Sequence, residues 1–122
     1  MPVQDRALTP SEEALALASR WWQVAQILDE FHTERDAQYK QWGEQVIPLG
    51  FGGRLWRMVA DQYRTECDEA AERGELTMKH ILLEEFHEAL AESDLKSARD
   101  ELVQVGACVV AAIQLIDREN AK

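Results

Sequence analysis

The chain has 122 residues with three prolines and six glycines, enough for one domain and with little to interrupt long helices. Hydrophobic residues make up 46% and charged residues 30%, a composition that excludes a disordered chain. The net charge of −10 repels nucleic-acid phosphates and disfavours a duplex-binding role, while a nucleotide stays admissible if metal ions bridge its phosphates to carboxylates.

Residues 1–8 read as a loose arm, and residues 9–122 as a single all-α domain of four or five helices. Thr9-Pro10-Ser11-Glu12 is a helix start: Thr9 caps, Pro10 suits the first helical position and Glu12 completes a capping box. Nothing breaks a helix from there to about Gln41. Val24, Ile27, Leu28 and Phe31 recur at helical spacing behind Trp21 and Trp22, and one helix or two with a bend near residue 20 both satisfy the pattern. Gly43 to Gly53 is a loop punctuated by four glycines and Pro48 between its ends and middle. A second helix is predicted from about Arg54 to Arg73, with Leu55, Met58, Val59 and Tyr63 as its buried stripe and Gly74 as its stop. Thr77 caps a third, from Met78 to about Glu92. Ser93 or Asp94 breaks it and opens the last, which reaches about Arg118 with Leu102, Val105, Val109, Ala112 and Ile116 as a seam. No strand pattern or internal repeat is apparent.

Cys67 and Cys108 are too few for a disulfide framework and lack metal-ligand spacing, so both are expected to be reduced and structural. Val103 to Ile116 is apolar but too short and interrupted to span a bilayer, and no signal peptide opens the chain. The expectation is a soluble, cytoplasmic protein with no membrane partner.

The chemistry-bearing stretch is Leu83-Glu84-Glu85-Phe86-His87-Glu88, followed by Glu101-Leu102-Val103-Gln104. Glu85 and Glu88 are three apart and share a helix face, and Glu84 nearly joins them. Folding the two helices back on each other at residues 94 and 95 sets Glu88 opposite Glu101 and Glu85 opposite Gln104. Three carboxylates and an amide oxygen then converge, and like charges that close call for a cation among them. A hard divalent ion with oxygen ligands, Mg²⁺ or Mn²⁺, is the natural occupant. The bland alternative is a solvated acidic face; the matched register across the hairpin and the apolar flanks Leu82, Phe86, Ala89, Leu90, Leu102 and Val105 weigh against it.

This pattern resembles the MazG-like all-α nucleotide pyrophosphohydrolases, whose signature is E-E-x-x-E followed one helix later by E-x-x-D. Glu84, Glu85, Glu88 and Glu101 match it, and Gln104 stands where the family has Asp. Glu34-Arg35, Lys40-Gln41-Trp42-Gly43-Glu44-Gln45 and Cys67-Asp68-Glu69-Ala70-Ala71 look like the dATP/dGTP pyrophosphohydrolase branch of phages and bacteria, over roughly residues 27–118. The resemblance implies a MazG-like bundle with a carboxylate-bearing helical hairpin. It also implies hydrolysis of a purine dNTP, dGTP favoured and dATP second, to the dNMP and pyrophosphate. In some phage members this supplies dGMP for 2-aminoadenine nucleotides, which would place the chain in the host cytoplasm. On that reading Glu85, Glu88, Glu101 and Gln104 hold two or more Mg²⁺ or Mn²⁺ ions, and Glu84 and Glu85 are catalytic, with Glu84 orienting or deprotonating a water. Lys40 either meets a phosphate or is one more surface lysine, and Trp42 either stacks on the base or packs in the core or an interface. The assembly expected is a homotetramer, as a dimer of dimers, or a homodimer, with Trp21, Trp22 and Trp56 in the core or between subunits.

Two other classes stay open. Glu84-x-x-His87, with Asp29-x-x-His32 as a rough second copy, is the spacing of carboxylate-bridged di-metal redox bundles, although the second copy carries Asp and the last helix offers no histidine. An acidic helical interaction protein without catalysis needs neither metal nor substrate.

Overall fold

The computed structural model describes residues 6–122, so the first five residues of the expected arm lie outside the described residues. Four helices are present, α1 (Pro10–Trp42), α2 (Arg54–Glu72), α3 (Met78–Ala91) and α4 (Leu95–Asn120), and no strand occurs among the described residues. The chain is all-α. It divides into two compact units, Met1–Gln45 and Val46–Lys122.

The first unit is essentially α1, one unbroken helix of 33 residues, about 50 Å long at 1.5 Å per residue. Its start is the capping box read from the sequence: Thr9 Oγ1 accepts from the Glu12 amide at 3.2 Å, and Glu12 accepts from the Thr9 amide at 3.4 Å. Arg6 locks that carboxylate from outside at 2.8 Å. Ile27 is buried and Val24 and Phe31 are half-buried, so the predicted stripe exists, but Leu28 is exposed.

The second unit carries the hairpin. α3 packs on α2 along one flank and on α4 along the other. Gly74 stops α2 as expected, at φ 70°. Its amide donates to the Ala71 carbonyl and the Glu75 amide to the Ala70 carbonyl, the paired bonds that close a helix with a left-handed residue. α3 opens on an unusual box in which His80 takes the place of Glu or Gln: the Thr77 amide donates to His80 Nδ1 at 3.1 Å. Asp94 caps α4 by accepting from the Ser97 amide at 2.9 Å.

The stripe of α2 matches the expected one in part: Val59 and Tyr63 are half-buried. Leu55 and Met58 are 67% and 61% exposed, while Ala60, Cys67 and Ala70 are buried. At 100° per residue, Leu55 and Met58 point roughly 140–160° away from Ala60. The helix meets α3 closely through small side chains, with Tyr63 against His87 beside them. On α4, Leu102 and Ile116 are exposed and Ala98 and Val110 are buried. Val105, Val109 and Ala112 join Leu82 and Phe86 in lining an open groove of about 580 Å³, so part of the predicted seam is a surface. Trp21, Trp22 and Trp56 are 69%, 67% and 43% exposed, which removes them from the core of the single chain. Among the described residues no helix is long and apolar enough to cross a membrane.

Candidate metal centre

Successive helical residues are about 100° apart, so neighbouring glutamates on a helix with two flanks go to different neighbours. Glu84 turns to α2, where Arg64 and Cys67 meet it. Glu85 turns to α4, where it feels Glu101 and acts on Cys108. Glu88, between them in angle, serves both flanks.

On the α4 flank, Glu85, Glu88 and Glu101 each bring a carboxylate oxygen to within 4.8 Å of the others. All three residues are half-buried. Glu85 Oε2 and Glu101 Oε2 are shielded from solvent and have no hydrogen-bond partner. Burial, then the charges of Glu88, Glu101 and Glu84, hold the Glu85 carboxyl above the ordinary glutamate range. Burial, then Glu88 and Glu92, raise Glu101 in the same way, partly offset by Arg57 and Arg64. Burial and the charge of Glu85 push the Cys108 thiol up. Anionic oxygens that are both desolvated and mutually repelling match the donor set of a hard divalent cation.

The α2 flank supplies what sequence reasoning missed. Arg64 donates from Nη2 at 2.6 Å and from Nε at 3.1 Å to the same oxygen of Glu88, Oε1. Its Nε lies 4.0 Å from Glu84. Arg57, two turns earlier, reaches Glu92 at 3.7 Å. Tyr63 lies against His87, with ring centroids 4.3 Å apart. The Cys67 thiol is buried against Glu84, whose hydrogen bond, together with burial and carboxylate charge, pushes it up to about 11. A signal for these partners exists in the sequence. Folding α2 onto α3 about residues 75–76 sets Arg64 near Glu88, Cys67 near Glu84 and Tyr63 near His87, the same construction that pairs Glu88 with Glu101.

Other expected site residues lie elsewhere. Gln104 is exposed on α4, one turn beyond Glu101. Lys40 pairs with Asp36 at 3.0 Å on the exposed face of α1. Trp42 ends α1 and is 56% exposed. Lys40, Trp42, Asp29 and His32 all belong to the first unit, and the carboxylates to the second. His87 donates from Nδ1 to the Leu83 carbonyl at 2.7 Å and is not among the residues that converge with Glu85 and Glu88. Both cysteines are free thiols.

Comparison with known proteins returns no counterpart: no family model, no curated protein and no solved structure matches the chain.

Proposed function

We propose that the chain is a metal-dependent nucleotide pyrophosphohydrolase that cleaves a purine deoxynucleoside triphosphate, dGTP before dATP, between the α- and β-phosphates. The observation that carries this reading is the convergence of Glu85, Glu88 and Glu101 within 4.8 Å, with a buried, unpartnered oxygen on Glu85 and on Glu101. The nucleotide rests on the resemblance of Glu84, Glu85, Glu88, Glu101 and the stretch around Trp42 to MazG-like enzymes.

Glu85, Glu88 and Glu101 hold Mg²⁺ or Mn²⁺ in this proposal, with the Gln104 amide oxygen as a weaker fourth donor. Ions so held offset phosphate charge and lower the pKa of a bound water. Glu84 stands at the edge of the cluster, where Cys67 and Arg64 fix its position, and is assigned the orientation of the attacking water. The roles of Lys40 at the phosphate and of Trp42 at the base are carried by the resemblance alone. The active form is a homotetramer or homodimer.

The test is product identification. The protein is incubated with each of the four dNTPs and Mn²⁺. dNMP and pyrophosphate from the purine substrates are the expected products; orthophosphate release, or no turnover on any dNTP, overturns the reading.

A further inference from the structure

We propose that Arg64 is a displaceable counter-ion: it neutralises Glu88 until a divalent cation takes that carboxylate, and the released guanidinium then binds a phosphate of the substrate. The inference rests on the proposed function, its first half on the metal centre and its second half on the nucleotide substrate.

Three observations lead to it. Arg64 places two donors on one oxygen of Glu88, at 2.6 and 3.1 Å, while Glu88 is also one of the three residues whose oxygens converge within 4.8 Å. The same carboxylate is therefore claimed from α2 by a guanidinium and from α4 by the cation-binding cluster. Next, Arg64 leaves Glu85 Oε2 and Glu101 Oε2 without a partner, so one positive charge on Glu88 does not complete the site. A dication placed among the three repels the guanidinium and competes with it for Glu88. Finally, the Arg64 side chain is half exposed, against 15% for that of Glu88. It is the more exposed member of the pair and so the one with room to move. Its planar five-donor fork suits phosphate oxygens, and a guanidinium leaving a carboxylate next to a cation-held triphosphate finds an anion again within reach.

The site thus has two charge states, and the negative charge of the cluster is offset differently in each. Before loading, Arg64 pairs with Glu88 and lies 4.0 Å from Glu84, while an oxygen each of Glu85 and Glu101 stays without a partner. After loading, the cation carries the neutralisation and Arg64 adds a positive charge facing the substrate. Arg64 is a positioning residue in the first state and a substrate contact in the second.

The experiment measures Mn²⁺ binding to the nucleotide-free full chain by calorimetry, and steady-state hydrolysis of dGTP, for the wild type, Arg64→Gln and Arg64→Lys. Removing the competitor in Arg64→Gln tightens Mn²⁺ binding about fivefold, the upper range of what half-exposed ion pairs contribute. The same substitution raises KM for dGTP about tenfold or more, as expected for loss of a charged hydrogen bond, with a smaller change in kcat. Arg64→Lys keeps the charge and returns both constants toward wild type. Mn²⁺ binding that is unchanged or weaker in Arg64→Gln overturns the counter-ion role and leaves Arg64 as a brace for Glu88. Tighter Mn²⁺ binding with an unmoved KM overturns the phosphate role. Wild-type hydrolysis decides the underlying reading separately: tightened Mn²⁺ binding in a protein that hydrolyses no dNTP supports the counter-ion and sinks the hydrolase.

Discussion

Glu84 and Glu85 adjoin in sequence yet answer to different neighbours, and Glu88 is the residue on which both flanks depend. Glu88→Gln keeps size and hydrogen-bonding capacity but removes the charge shared by the cluster and Arg64. Turnover is expected to fall by at least about a hundredfold, beyond the loss typical of partners that only orient a ligand. The half-exposed pair with Arg64 contributes about 1 kcal/mol or less, so circular dichroism and the thermal midpoint should stay close to wild type. Near-normal rates in this variant would remove the hairpin from the chemistry. The raised carboxyls give a second prediction. Glu85 and Glu101, facing Glu84, Glu88, Glu92, Arg57, Arg64 and Cys108, keep their protons to higher pH in the folded than in the unfolded chain. Their contribution to stability is full below the ordinary glutamate value of about 4.3 and is lost as pH rises through the raised folded values. A cation that replaces those protons restores the loss. Mn²⁺ should therefore raise the melting temperature more at pH 7 than at pH 5, as read by scanning calorimetry. An equal or larger rise at pH 5 would mean that the ion binds elsewhere.

The helix boundaries were legible because caps are local chemistry. Thr9 with Glu12, Thr77 and Gly74 each act on backbone within four residues, and each stands where its residue type implies. The meeting of Glu88 with Glu101 was legible because a short connection forces antiparallel register. Arg64 is not marked by the apolar stripe of α2, although folding at residues 75–76 brings it to Glu88. Leu55 and Met58 misled because helical periodicity names a face without saying what covers it; small Ala60 and Ala70 won the contact instead. The loop before α2 contains a constraint that only coordinates reveal. The Gly52 amide donates to the Leu90 carbonyl at 2.7 Å, tying this loop to the end of α3. Gly52 has φ 92°, and a Cβ there would stand 2.5 Å from Ser93 Oγ and 3.1 Å from Ser93 Cα. Gly52→Ala is expected to cost about 1–3 kcal/mol through backbone strain alone, measured as a lower urea midpoint. Adding Ser93→Gly relieves the side-chain clash but not the strained φ, so recovery should be partial. Full stability in Gly52→Ala would show that the loop is not held against the hairpin.

Taken alone, the chain covers little of its apolar surface. The buried hydrophobic set is Ile27, Val110, Cys67 and five alanines, and no large side chain is fully buried among the described residues. A chain of this size buries only about two thirds of the surface its unfolded form exposes, and exposed tryptophans together with an apolar groove are unusual for an isolated molecule. Light scattering at micromolar concentration should therefore give a multiple of 13.9 kDa, two or four chains, and a mass of one chain would count against assembly. Within the second unit, finally, the converging carboxylate oxygens and the arginine that opposes them sit on the two flanks of a single 14-residue helix. On the proposed metal-binding reading, the affinity of the centre is adjustable from a helix that donates none of the three converging oxygens. A graded series of substitutions at position 64 would act as a dial, setting how avidly the centre loads while every coordinating side chain stays as it is.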